Sequence, residues 1–351
     1  MSFEENIRKV VPYTPGEQPQ RKVIKLNTNE CPYAPSPKVF NALEKFDASF
    51  LRKYPDPACT GLVNAIADYY GRDPEEVFVG VGSDDVLSMC FLTFFAGKKP
   101  VIFPNITYSF YEVWADVYRI PYKTIPLKEN FDLDENDYFI ENGGVVIANP
   151  NAPTGVAEPL EKIEKIVKEN QDSIVIVDEA YIDFGGETAL PLIDKYENII
   201  ITRTMSKSRA MAGMRIGYAF GPKKLIKYLN DVKFSVNSYT MNMPALIAGE
   251  EAVLDKEYFE EIRDKVVATR ERSKTELKRL GFSFRDSMTN FIFAKHEKAS
   301  AKMIFEKLKE NDIYVRYFNK PVINEYLRIS IGTDEEMDEL FKVLEKILAE
   351  I

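Results

Sequence analysis

The sequence predicts an α/β protein, a mostly parallel sheet with flanking helices, joined to a smaller α+β domain. Three observations predict it. Short apolar or β-branched runs recur at 77–81, 100–103, 145–148, 174–177, 199–202 and 216–219. Amphipathic stretches lie between most of them, at 85–95, 109–117 and 160–168 among others. The runs are apolar throughout rather than alternating, as strands covered by helices on both faces are.

Residues 1–35 are rich in Pro, Asn and charge and read as an irregular arm expected to contribute to the small domain and to a dimer. Ser36-Pro37 has the form of an N-cap followed by Pro at the first helical position, opening a helix to about residue 45. Thr60 is expected to cap a second helix, in which Leu62, Ala65, Ile66 and Tyr69 recur at helical spacing. These and the alternating region form a large domain over 36–245. One long connecting helix is expected over 246–281, ended by Gly281. Strands at 282–284, 291–294, 314–317 and 327–331, with helices at 300–310 and 334–351, make a small domain over 282–351. A chain of 351 residues is too long for one ordinary core, so two domains are the natural division.

An apolar fraction of 45% with 29% charged residues is that of a globular protein. The net charge of −9 argues against nucleic acid as a partner, since phosphates need a basic face. The first residues carry Glu4 and Glu5 without an apolar run, so no signal peptide is expected. The longest apolar stretches are far too short to span a bilayer, which makes a cytoplasmic protein the expectation. Cys31, Cys59 and Cys90 lack CxxC spacing and suit a reducing compartment. His296 is the single histidine, in a charged stretch, which argues against histidine triads and histidine-rich metal sites. Proton transfer then falls to lysine, tyrosine, carboxylates or a cofactor.

Functional residues of such sheets collect at the carboxyl ends of strands. Four strand ends here carry unusual chemistry. Gly80-Val81-Gly82-Ser83-Asp84-Asp85 places free backbone N–H groups and a hydroxyl at a helix N-terminus, either a capped turn or a phosphate cradle. Asn149-Pro150-Asn151-Ala152-Pro153-Thr154-Gly155 is a rigid turn. Asp178-Glu179-Ala180-Tyr181 brings two carboxylates and a phenol to the end of a buried strand, which implies a cationic or donor partner. Thr204-Met205-Ser206-Lys207 ends another strand, where desolvation can lower the lysine pKa and make it a Schiff-base nucleophile. Arg215 lies eight residues on and suits bidentate contact with a phosphate. An aldehyde cofactor needs a lysine, a phosphate anchor and an anion opposite its pyridine nitrogen. Lys207, the Ser83/Ser206/Arg215 set and Asp178 supply these in turn, with Tyr181 near the ring oxygen and Tyr108 as a candidate stacking face.

These motifs together resemble the fold-type I pyridoxal-phosphate enzymes, most closely the histidinol-phosphate aminotransferases. The likeness runs from Leu26 onward through Asn27-Thr28-Asn29-Glu30-Cys31-Pro32-Tyr33, Tyr54-Pro55-Asp56, Gly82-Ser83-Asp84-Asp85, Pro153-Thr154-Gly155, Ser206-Lys207, Gly213-Met214-Arg215-Ile216-Gly217-Tyr218 and Leu327-Arg328-Ile329-Ser330. The resemblance implies pyridoxal 5′-phosphate held on Lys207, which also acts as general base. It puts Asp178 on the ring nitrogen, Tyr181 on the ring hydroxyl and Tyr108 against the ring. Ser83, Asp84 through its backbone, Thr204, Ser206 and Arg215 surround the phosphate. It further implies a homodimer in which Tyr54 of one subunit reaches the cofactor phosphate of the other, and Arg316 and Arg328 gripping substrate anions. The implied reaction converts histidinol phosphate and 2-oxoglutarate to imidazole-acetol phosphate and glutamate. An aromatic amino-acid aminotransferase and a threonine-phosphate-type decarboxylase share most of these motifs and stay open here. Three positions depart from the family pattern. Ala152 stands where an Asn usually donates to the ring oxygen, a role left open between Tyr181 alone and Asn151. Cys31 replaces an Asn, and Arg209 adds a charge close to the lysine.

Overall fold

The computed structural model describes residues 3–350. Among these residues twelve strands form two sheets: β1 (Ile24–Leu26), β2 (Val77–Gly80), β3 (Val101–Pro104), β4 (Tyr122–Ile125), β5 (Gly144–Ala148), β6 (Val175–Asp178), β7 (Ile199–Thr204), β8 (Gly217–Phe220), β9 (Phe282–Phe284), β10 (Phe291–His296), β11 (Ile313–Tyr317) and β12 (Leu327–Ser330). The large sheet has the order β2-β8-β7-β6-β5-β3-β4. Only β8 runs against its neighbours. The carboxyl ends of β2, β3, β5, β6 and β7 therefore open on one edge, as α/β sheets with a crevice require.

Alternate residues of the central strands enter different cores. Val145, Ile147, Val175, Val177, Ile199 and Ile201 pack on one face. Val146, Ile176 and Ile200 pack on the other, against Leu87, Phe91 and Trp114. Helices thus cover both faces, which is why these strands read as unbroken apolar runs. The edge strand β4 was not expected, because Tyr122 and Lys123 are exposed and its signal is short.

The small sheet has the order β1-β11-β12-β10-β9, and β1 joins it by parallel pairing with β11. That register sets Leu26 in the small-domain core and carries the following residues, Asn27 to Glu30, toward the large sheet.

Two local expectations change. The single long helix over 246–281 is two helices, Met243–Leu254 and Lys256–Arg279, broken at Asp255. Asp255 takes a non-helical backbone (φ −92°, ψ 68°), and its carboxylate accepts from Ser36 Oγ and pairs with Lys38 Nζ at 3.2 Å. These two long-range bonds tie the Asp255 side chain to the start of the helix Pro37–Glu44 at the point where the helix breaks. Thr60 is the first residue of its helix rather than the cap; the Asp56 carboxylate accepts from its N–H at 2.7 Å. Among the described residues no helix is long and apolar enough to cross a membrane.

Candidate active site

A cavity of about 210 Å³ lies at the carboxyl edge of the large sheet and reaches the small domain. It is lined from four strand ends at once: Ser83 and Asp84 after β2, Ala152 after β5, Asp178 and Tyr181 at β6, and Thr204, Ser206 and Lys207 at β7.

The phosphate-cradle candidate is built by close approach. Gly82 has φ +83°, and a Cβ there would sit 2.5 Å from the Arg215 guanidinium. A Cβ on Gly217 would lie 2.3 Å from the Ser83 backbone nitrogen. Gly82 is required by its left-handed backbone and Gly217 by the main chain it approaches. They seat Arg215 at the N-terminus of the helix Gly82–Phe94, where backbone N–H groups and the helix dipole favour an anion. Asp85 accepts from Val81 N–H at 2.9 Å and steadies the turn. Arg215 reaches Ser206 Oγ at 3.4 Å and the Asp84 carboxylate at 3.2 Å. Tyr108 donates to the other Asp84 oxygen at 2.7 Å. The Asp84 side chain thus links Arg215 to Tyr108 beside the cradle. Thr204 Oγ1 accepts from Ser206 N–H at 3.1 Å, fixing the turn that leads to Lys207.

Asp178 is 4% exposed at the end of β6. Burial pushes its carboxyl up to about 6, against the hydrogen bonds from Tyr111, Thr202 and Ala180 N–H. Tyr111 donates to Oδ2 at 2.8 Å and Thr202 to Oδ1 at 3.2 Å. The role of Tyr111 was not read from the sequence. It stands three residues past Tyr108 in the same quoted motif, and only the fold brings it to a carboxylate 67 positions away.

Lys207 Nζ donates to the Thr28 carbonyl at 3.0 Å, and it lies 5.9 Å from the Tyr181 ring centre. Burial, followed by repulsion from Arg328, lowers its amine to about 8, with Glu30 and Asp84 opposing. Tyr181 accepts from Asn29 Nδ2 at 2.8 Å.

Arg316 and Arg328 face each other as register partners on β11 and β12. Like charges directly opposite on neighbouring strands repel. Among the described residues each guanidinium is met by main-chain carbonyls instead of a carboxylate: Arg316 by Thr14 and Pro15 at 3.1 and 3.3 Å, Arg328 by Asn27 at 3.0 Å. Both also line a second cavity of about 360 Å³, which shares Tyr13, Tyr108 and Ala152 with the first. Tyr13 stacks on Phe110 at 4.3 Å between centroids, holding the N-terminal arm over this opening. Two cations so placed at the mouth of a cavity suit an anionic ligand.

Two predicted residues, Asn151 and Tyr54, and the atypical Arg209 lie outside the cavity lining. Asn151 does not line the cavity; its amide donates to the Ile106 carbonyl at 2.9 Å and to Thr154 at 3.0 Å, and accepts from Thr107 at 2.8 Å. It ties the Ile106–Thr107 loop to its own turn, away from the cavity lining. Arg209 turns away from the site and lies over Tyr69 and Phe259, 4.8 and 4.1 Å from their ring centres. Tyr54 is 78% exposed and stacks on Tyr239, outside this chain's own cavity. Among the described residues no group of three or more His, Cys, Asp or Glu is placed to hold a metal ion.

The residues present fit pyridoxal phosphate. The glycine-lined cradle suits its phosphate, the desolvated Lys207 its aldehyde and the buried Asp178 its ring nitrogen. This combination at the switch edge of an α/β sheet is that of a pyridoxal-phosphate aminotransferase fold. Residues 21–344 match the family of class I and II aminotransferases, and the chain belongs to that family. It is 51% identical over 348 residues to a histidinol-phosphate aminotransferase of Clostridium acetobutylicum, covering 99% of each chain. It is 52% identical over 349 residues to one from Marinomonas sp., covering 98% of this chain and 99% of that one. Among solved structures, histidinol-phosphate aminotransferase from Sinorhizobium meliloti in complex with pyridoxal-5′-phosphate superposes with a TM-score of 0.86 at 25% identity, over 94% of this chain and 92% of that one.

Proposed function

We propose that this chain is a cytoplasmic homodimeric enzyme that transaminates histidinol phosphate with 2-oxoglutarate, giving imidazole-acetol phosphate and glutamate in histidine biosynthesis. The observation that carries this reading is the Arg316–Arg328 pair, two guanidiniums met by no carboxylate among the described residues, facing the cavity that holds Lys207. Such a pair takes the phosphate ester of one substrate and a carboxylate of the other in turn. The relatives' names at about half identity over nearly the full length support the same choice.

Pyridoxal phosphate, when bound, supplies an electrophilic carbon for the substrate amine and a protonated ring that takes up the electron pair left by the departing proton. The chain's own groups do the rest. Lys207 Nζ removes the proton from the amine-bearing substrate carbon and returns it on the cofactor side. Its depressed pKa leaves much of it neutral near pH 8, as a base requires. Asp178 holds the ring nitrogen protonated, with Tyr111 and Thr202 fixing both of its oxygens. Tyr181 would serve the ring oxygen and Tyr108 the ring face, and Ser83, the Asp84 backbone, Thr204, Ser206 and Arg215 would hold the phosphate. Tyr54 adds to that phosphate site from the partner subunit, consistent with its exposure in a single chain.

The test mixes the purified, cofactor-loaded protein separately with histidinol phosphate, tyrosine and phosphothreonine while following the yellow absorbance. Rapid bleaching with histidinol phosphate alone is expected. Preference for tyrosine, or carbon dioxide released from phosphothreonine, would overturn the substrate assignment. Lys207→Ala is expected to abolish turnover, and normal cycling by that variant would refute the role of the lysine.

A further inference from the structure

Asn29 occupies an unusual place in this site. It is 1% exposed, has a left-handed backbone (φ 56°), and hydrogen-bonds through every polar group it has. Its N–H donates to Ser330 Oγ at 2.9 Å, and its carbonyl accepts from Asn290 Nδ2 at 2.9 Å. Its Oδ1 accepts from Ser330 Oγ at 2.9 Å, and its Nδ2 donates to Tyr181 at 2.8 Å. Ser330 fixes which end of the carboxamide faces the phenol. Its oxygen receives the Asn29 N–H, so its own proton goes to Oδ1. That leaves Nδ2, a pure donor, against Tyr181.

A phenol that accepts from Nδ2 cannot also give its proton to that group. Among the described residues no acceptor takes the Tyr181 proton, and Tyr181 lines the Lys207 cavity. Its neighbour across the cavity wall, Ala152, brings no polar side chain. We infer that Asn29 is a positioning residue that aims the Tyr181 O–H into the cavity, making this phenol the donor to the cofactor's ring oxygen. The inference rests on the pyridoxal-phosphate reading given above. The charged and titratable groups facing Tyr181 are Arg328 from β12, Asp178 from β6, Asp84 from the helix Gly82–Phe94, Lys207, and the phenols of Tyr108 and Tyr111. None of them is in a position to set the direction of the O–H as a 2.8 Å donor does.

The test is spectroscopic and uses the cofactor-loaded protein. The pH midpoint of the cofactor's visible band on Lys207 is measured for the wild type, Tyr181→Phe, Asn29→Gly, Asn29→Asp and the Asn29→Gly/Tyr181→Phe pair. Glycine suits the left-handed backbone, which guards against simple misfolding. A donor to the ring oxygen stabilises its anion and holds the midpoint down, so Tyr181→Phe raises it. Asn29→Gly is expected to raise it by about half a unit to one unit, the worth of one hydrogen bond. Asn29→Asp is expected to raise it at least as far as Tyr181→Phe does. A carboxylate accepts the phenol proton and turns it away from the cavity. In the Tyr181→Phe background Asn29→Gly should add nothing, whereas a merely structural role would shift both backgrounds alike. An equal shift in both backgrounds, or an unmoved midpoint in Asn29→Asp, overturns the inference. A wild type with no visible band, or a band unaffected by Lys207→Ala, defeats the cofactor reading instead.

Discussion

An ordinary lysine amine is almost fully protonated at neutral pH and attacks carbonyls slowly. Lys207 escapes this because burial and the nearby Arg328 both disfavour its charge, holding it at about 8. Below about pH 8 the amine is charged and unreactive, and above it the amine is free. The rate at which cofactor-free protein captures pyridoxal phosphate is therefore expected to rise through a midpoint of about 8, followed by rapid-mixing absorbance. A midpoint at the ordinary lysine value of 10.5 would contradict the burial argument. Lys207, Asp178, Tyr181 and Arg215 were legible in the sequence because each sits at a strand end, and strand ends of this sheet share one edge. Asn29 and Tyr111 act only through partners 152 and 67 positions away, and no local pattern announces such a pairing.

At the scale of elements, β11 and β12 hold Arg316 opposite Arg328 at a cost in repulsion that an anion between them would offset. Cofactor-loaded protein, whose own phosphate cradle is already filled, should then gain thermal stability from inorganic phosphate. At about 100 times its dissociation constant the gain is roughly 2.7 kcal/mol, read as a rise of a few degrees in Tm. Arg328→Gln is expected to lose that rise while unfolding no earlier than wild type in its absence. An undiminished rise in the variant would remove Arg328 from the anion site. The buried strands were readable because both of their faces are covered. The edge strand β4 and the break at Asp255 were not, since exposure blurs the first and a long-range side-chain bond to Ser36 accompanies the second.

The whole molecule divides the site between two sheets, and the proposed dimer would divide it between two chains. Tyr54 is exposed beside Tyr239, with Phe50 and Leu51 exposed close to it in sequence, a surface suited to a second copy. A heterodimer of Tyr54→Ala and Lys207→Ala chains, purified by two different tags, tests this. If Tyr54 acts across the interface, one site of two is intact and about half of wild-type activity returns. If it acts within its own chain, activity stays at or below half that of the Tyr54→Ala homodimer.

The hydrogen bonds that the described N-terminal arm offers Arg316 come from the carbonyls of Thr14 and Pro15. Every amino acid offers that carbonyl, so the guanidinium is blind to the side chains at those two positions. Drift there leaves the contact intact. Gly16 has no such latitude, because a Cβ would come within 2.6 Å of Thr28 Cγ2, and Tyr13 is held by its stack on Phe110. Over evolutionary time the arm can thus change its spelling at 14 and 15 while keeping its shape. Related chains are therefore free to differ at 14 and 15, flanked by two positions that are not.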